Sequence, residues 1–182
     1  MSIPRVLVLY EYSHTALPHG SAYIRLLQPL SHPVIQQRFQ HTPSPVYRGQ
    51  KADIVIVDRY WHADTTRETV AELVKNIRTS GARLVYQIDD DLLNRPDSTD
   101  EMEVGRQCIQ LFLQEADGVI VSTPNLRQRF ASINPRIYVV RNALDERLLT
   151  TFGGGSIPRI AASESVVLGY MGTFTHEDDL RM

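Results

Sequence analysis

The sequence predicts an α/β fold: a Rossmann-like, doubly wound parallel sheet with helices on both faces. Three observations predict it. Short continuous runs of β-branched and aliphatic residues, such as Val6-Leu7-Val8-Leu9-Tyr10, have the composition of strands buried on both faces. These runs alternate with stretches whose apolar residues recur at helical spacing. Glycine and proline cluster between the two kinds of segment. Five or six strand-then-helix units in succession need crossover connections, and so a parallel sheet.

Taken in order, Val6 to Tyr10 is the first strand, and Ala22, Ile24, Leu26, Leu27 and Leu30 follow as a helix. A weaker strand is expected from Val34 to Phe39, ending in a loop punctuated by Pro43 and Pro45. Asp53-Ile54-Val55-Ile56-Val57-Asp58 is the next buried strand. Asp64 is placed to cap a helix carrying Val70, Leu73, Val74 and Ile77, which Gly81 ends. Leu84 to Ile88 forms another strand and runs into Asp89-Asp90-Asp91. A helix with Val104, Cys108, Ile109, Leu111 and Phe112 on one face follows. Val119 to Val121 and Ile137 to Val140 are two further strands, separated by a short helix from Asn125 to Ala131.

Beyond Asn142 the pattern changes. A helical turn near Leu144 to Leu149 precedes Gly153-Gly154-Gly155-Ser156, which has linker composition and lacks the ending of a phosphate loop. A fresh strand, Val166-Val167-Leu168-Gly169-Tyr170, opens a new unit. The expected organisation is a first domain over residues 1–150, a hinge over 151–164, and the first strand and loop of a second domain over 165–182.

Composition narrows the function. Across 182 residues, 19 basic and 21 acidic side chains leave a net charge of -2, so no overall field attracts nucleic acid, which is not expected as a partner. The single cysteine, Cys108, excludes an internal disulfide and argues against a structural zinc site; a cytoplasmic location is expected. No stretch approaches the roughly 18 apolar residues of a membrane span, and residues 1–5 lack the apolar centre of a signal peptide.

In open parallel sheets ligands bind outside the carboxyl ends of the strands. There the chain places Glu11 and His14; Asp58, Arg59, Tyr60 and His62; Asp89 to Asp91; Ser122 and Thr123; and Arg141 and Asn142. The aspartate triplet suits a hard divalent cation, a polar ligand, or the cap of the following helix. His62 beside Trp61 fits a sugar or base pocket as well as a packed surface pair. His14 and His19 read as solvated loop residues. A dinucleotide fingerprint is absent, because Glu11-Tyr12-Ser13-His14-Thr15 holds no glycine after the first strand. A phosphoacceptor receiver domain is disfavoured too: Asp58 ends its strand suitably, but the chain's lysines, Lys51 and Lys75, fall in a loop and a helix.

Four segments occur in order: Gln87-Ile88-Asp89-Asp90-Asp91-Leu92, Ala116-Asp117-Gly118-Val119-Ile120-Val121-Ser122-Thr123, Val139-Val140-Arg141-Asn142-Ala143-Leu144-Asp145 and Leu168-Gly169-Tyr170-Met171-Gly172-Thr173. Together with Gly20-Ser21-Ala22-Tyr23-Ile24-Arg25 and Asp58-Arg59, they resemble GT-B glycosyltransferases of the group-1, or family 4, kind. The resemblance implies two Rossmann-like domains facing across a cleft, the first for the acceptor and the second for a nucleotide-sugar donor. It implies retaining transfer to a growing glycan or a lipid-linked saccharide of the cell surface, with no bound metal and no other cofactor. It also implies a cytoplasmic enzyme that contacts a membrane peripherally, although no strongly basic helix stands out in the sequence.

Under the resemblance, Gly20, Ser21, Arg25, Arg59, Thr123 and Asn142 are acceptor-binding, and Gly172, Thr173 and His176 are donor-binding. Arg25 and Arg59 are equally compatible with neutral surface charges. Many family members carry a histidine at the end of the fourth strand, where this chain has Asp89 or Asp90; these two are the catalytic candidates. The family's diphosphate-binding basic residues and ribose-binding acid lie beyond the last residue of this chain, so the C-terminal domain is itself an expected partner. Two other readings stay open: a metal-dependent GT-A transferase using Asp89 to Asp91, and a non-catalytic sugar- or nucleotide-binding module.

Overall fold

A computed structural model of the chain describes residues 3–12, 17–18, 20–94 and 99–151. It contains one all-parallel sheet of six strands in the order β2-β1-β3-β4-β5-β6. The strands are β1 (Arg5–Leu9), β2 (Gln40–Ser44), β3 (Ile54–Asp58), β4 (Arg83–Ile88), β5 (Gly118–Val121) and β6 (Ile137–Val139). The α/β, Rossmann-like class read from the sequence is therefore what the chain adopts. The strand starting at Val166, the glycines at 153–155 and the histidines at 14 and 19 lie outside the described residues.

The chain divides into two compact units, Met1–Asp145 and Glu146–Met182. The sheet belongs to the first. Of the second, the described part is a short helix, α7 (Glu146–Thr151).

The two faces of the sheet differ. On one, Leu7, Leu9, Val55, Val57, Leu84, Tyr86, Ile88, Val119 and Val121 pack under α4 (Arg67–Thr79), α5 (Asp100–Glu115) and α6 (Pro124–Phe130). Tyr86 and Phe112 stack there with ring centroids 5.1 Å apart. On the other face a smaller core joins Val6, Val8, Tyr10 and Ile56 to Ala22 and Leu26. Those two residues sit on a helical run that starts as α1 (Gly20–Ala22), widens to a π-helical turn over Tyr23–Leu27 and continues as α2 (Gln28–Leu30). Pro29 favours the widening, since it has no N–H to offer the Arg25 carbonyl and its ring crowds that turn; one residue earlier the Gln28 N–H bonds the Tyr23 carbonyl in place of the Ile24 carbonyl. Ile24, expected on the buried side, is exposed.

Two local expectations are corrected. The segment expected as a strand from Val34 begins as a helical turn, α3 (Pro33–Gln36), because Pro33 suits a first helical position and the His32 ring accepts the Val34 N–H at 3.3 Å. The strand follows at Gln40–Ser44. It tolerates Pro43 because it lies at the sheet edge, where a missing N–H interrupts no ladder. The cap of α4 is Thr66, not Asp64: Thr66 Oγ1 accepts from the Thr69 N–H, and Thr69 Oγ1 accepts from the Thr66 N–H. Thr66→Ala is expected to lower stability by about 1 kcal/mol, seen as a lower urea midpoint at unchanged m-value.

Candidate functional site

The chain passes from β1 to β2 on one side and then to β3 on the other, so β1 and β3 are neighbours whose connections leave in opposite directions. In doubly wound sheets such a reversal is where a crevice forms beyond the carboxyl ends and ligands enter. Glu11 follows β1, Asp58 ends β3 and Arg59 follows it, and Asp89 and Asp90 follow β4. Ser21 and Arg25 approach from the α1 and π-helical run, and Asn142 from beyond β6.

Arg59 is the hub. Its Nε lies 3.1 Å from Glu11 Oε2, its Nη1 lies 3.6 Å from Asp90 Oδ2, and the same nitrogen donates to Ser21 Oγ at 3.3 Å. The Glu11 contact is an ion pair without hydrogen-bond alignment. Burial works against the guanidinium charge, but Glu11, Asp89, Asp90 and Asp58 outweigh it and raise the Arg59 pKa. This geometry depends on a strained turn. Arg59 and Trp61 have φ of 46° and 66°, in the left-handed region that costs a non-glycine residue roughly 1–2 kcal/mol. Four hydrogen bonds hold the turn: Arg59 N–H to the Gln87 carbonyl at 3.0 Å, Trp61 N–H to the Asp58 carbonyl at 2.8 Å, Tyr86 Oη–H to the Arg59 carbonyl at 3.0 Å, and Trp61 Nε1–H to the Pro45 carbonyl at 2.9 Å. Between them, Tyr60 rests on α5 at Gly105, where a Cβ would come within 2.8 Å of the Tyr60 ring.

Arg25 is the second cation of the crevice. It donates through Nη2 to the Val140 carbonyl at 2.8 Å and through Nη1 to Asn142 Oδ1. Burial draws its pKa down, opposed by Asp89 and Asp58. Asp89 is half-buried, its Oδ1 has no hydrogen-bond partner among the described residues, and burial raises its pKa against the pull of Arg59. Asp90 projects to solvent.

The structure thus gathers Ser21, Arg25, Arg59, Asp89, Asp90 and Asn142. Gly20 stands exposed at the start of α1, with open space where a Cβ would be. Thr123 serves α6 as its N-cap, accepting the Leu126 N–H at 3.2 Å. Gly172, Thr173 and His176 lie outside the described residues. The aspartate triplet splits three ways: Asp91 pairs with Arg129 and accepts from Asn94 Nδ2 at 2.8 Å, Asp90 faces Arg59, and Asp89 lies within electrostatic reach of both Arg59 and Arg25. Among the described residues no group of three or more His, Cys, Asp or Glu is placed to hold a metal ion. Nor is any described helix long and apolar enough to cross a membrane. Trp61 is buried with its indole N–H bonded, and His62 packs on its edge at 4.5 Å, so the Trp61 ring offers no open stacking face. Burial also lowers the His62 pKa.

Two further buried polar residues belong to this site: Asp58, which the sequence places at a strand end but not among the acceptor-binding or catalytic candidates, and Gln87, which it does not single out. Asp58 and Gln87 are both fully buried and are register partners at the ends of β3 and β4. The available signal was a glutamine inside the apolar run Leu84-Val85-Tyr86-Gln87-Ile88, opposite a strand-ending aspartate.

The chain matches no protein-family model, and no curated protein matches it. The functional reading rests on the crevice and on the ordered segments quoted above.

Proposed function

We propose that this chain forms the acceptor side of a GT-B glycosyltransferase of the group-1, family 4 kind, a retaining enzyme that transfers sugar from a nucleotide-sugar to a glycan or lipid-linked saccharide. The observation that carries the reading is the convergence of Ser21, Arg25, Arg59, Asp89, Asp90 and Asn142 at the β1/β3 reversal. Several of these side chains offer acceptors and donors in alternation, which suits a polyhydroxylated ligand. A carboxyl whose pKa is raised by burial, as at Asp89, is a better acceptor for a hydroxyl proton than an ordinary carboxylate, and Asp90 lies beside it.

Donor binding falls to residues such as Gly172, Thr173 and His176 in the resemblance, where a Gly-Thr turn lets backbone N–H groups approach the phosphates. Transfer needs donor and acceptor held together and the leaving diphosphate stabilised, and the crevice described above supplies the acceptor side of that arrangement. The expected behaviour of the purified 182-residue chain is therefore saccharide binding without turnover. The test titrates oligosaccharides and lipid-linked sugar analogues while following the amide resonances of Arg59, Asp89 and Asp90, and separately assays nucleoside diphosphate release from nucleotide sugars. Sugar transfer by the chain alone would overturn the division of labour. Saccharides that shift none of these resonances would overturn the acceptor reading.

A further inference from the structure

Asp58 and Gln87 need an explanation that packing does not provide. The residues two before them on the same sheet face are Ile56 and Val85, both apolar, and the face then turns polar at two fully buried positions. Asp58 Oδ2 accepts the Glu11 N–H at 3.2 Å. Its other oxygen, Oδ1, faces the Gln87 amide, and the far side of that amide faces Arg25 Nε at 3.3 Å. Arg25 in turn holds the Val140 carbonyl and Asn142. An unbroken polar line therefore runs from the end of β3, through β4, to the residues after β6.

A primary amide between a carboxyl and a guanidinium has two orientations, and each protonation state of the carboxyl satisfies only one. With Asp58 ionised, the Gln87 nitrogen donates to Oδ1 and the Gln87 oxygen accepts from Arg25 Nε. With Asp58 neutral, the proton must sit on Oδ1, because Oδ2 already accepts the Glu11 N–H. That O–H donates to the Gln87 oxygen, the amide turns over, and its NH₂ then opposes Arg25 Nε, donor against donor. We infer that Asp58 and Gln87 form a proton-coupled relay that decides whether Arg25 is tethered to β4, and thereby positions Arg25 against Val140 and Asn142 at the rim of the crevice.

The groups that face Asp58 place this change near neutrality. Burial raises its pKa to about 7; the Glu11 N–H bond opposes this, the Glu11 and Asp89 charges add to it, and Arg59 opposes it. Among the described residues, Tyr86 from β4 and Arg25 from the π-helical turn also feel the Asp58 charge. The relay stands on this geometry whether or not the chain is a transferase. Under the transferase reading, Asp58 and Gln87 become positioning residues for Arg25.

The test needs no sugar. In the whole chain, the Asp58 side-chain carboxyl carbon and the Arg25 Nε resonance are followed by NMR from about pH 5 to about pH 9. Both are expected to move with one shared midpoint. In Gln87→Met, Asp58 is expected to titrate still while Arg25 Nε loses most of its excursion, since a thioether cannot pass the signal on. In Asp58→Asn, whose amide donates to Gln87 as the neutral acid does, Arg25 Nε is expected to stay at the acid-limit position at every pH. The wild-type and Asp58→Asn arms decide the matter even if Gln87→Met fails to fold. An Arg25 Nε resonance that is flat through the Asp58 transition, or follows it undiminished in Gln87→Met, overturns the relay, as does an Asp58 that stays in one state throughout.

Discussion

Arg59→Ala is expected to lower folding stability by about 3 kcal/mol, with the loss growing as the pH is raised from about 4 to about 8. The Arg59 and Glu11 side chains are only 19% and 11% exposed, so this ion pair is not screened as a surface pair would be. Truncating Arg59 leaves Glu11, Asp58 and Asp89 clustered at the crevice with their nearest counter-charge removed. An ionised carboxylate without that partner is destabilising, and a protonated one much less so. This gives the sign of the pH dependence. Alanine adopts the φ of 46° at the same cost as arginine, so the substitution reports on the side chain. Arg59→Lys is expected to recover part of the loss, because it restores the charge but not the planar fork that meets Glu11, Asp90 and Ser21 together. Urea unfolding at several pH values measures all of this. A loss that is equal at every pH would assign the effect to packing.

The elements buried on both faces were the most legible in the sequence. β1, β3 and β5 carry continuous apolar runs, and β4 carries one broken only by Gln87, because both sides of each are covered or crowded, and a run of that kind has few alternative readings. β2 was displaced for the opposite reason. As an edge strand it has no apolar requirement, so Gln40-His41-Thr42-Pro43-Ser44 carries no periodic signal, and the apolar residues before it serve a helical turn. The cap of α4 turned on two adjacent polar candidates, and only the reciprocal bonds of Thr66 and Thr69 separate it from Asp64.

Legibility of the site followed the same division. Residues at strand ends could be placed in the crevice because a parallel sheet puts them there, and Arg59, Asp89 and Asp90 meet at that edge. Thr123 stands at a strand end too, yet its hydroxyl is occupied by α6, a competition that residue type alone does not settle. Arg25 reaches the crevice from a helix whose π-helical turn follows from Pro29. Strand periodicity carries no information about that reach.

Asp58 is expected to give a pH dependence of stability opposite in sign to ordinary acid unfolding. A carboxyl whose pKa is raised in the folded state binds its proton more tightly there than in the unfolded chain, so its contribution to stability is complete below the unfolded value and is lost as the pH rises through the folded one. For Asp58 the window runs from 3.8 to about 7, which sets a ceiling of about 4 kcal/mol on the stability it removes between acid and neutral pH. Asp58→Asn keeps the neutral acid's bonds, accepting the Glu11 N–H and donating to Gln87, and carries no charge to bury. The variant is therefore expected to be more stable than the parent by about 2 kcal/mol at pH 8, to approach it near pH 4, and to lose the downward slope between those limits. Carboxylates whose pKa is lowered in the fold, Asp53 with Arg5 among them, give the opposite slope and Asp89 the same one, so the difference between the two chains is the quantity to read. Parallel pH profiles would mean that the Asp58 carboxylate is tolerated in the core without cost. In that event Arg25 and Gln87 would have to be solvating the charge fully, and the polar line from β3 to Asn142 would be a permanent fixture of the crevice and not one that responds to a proton.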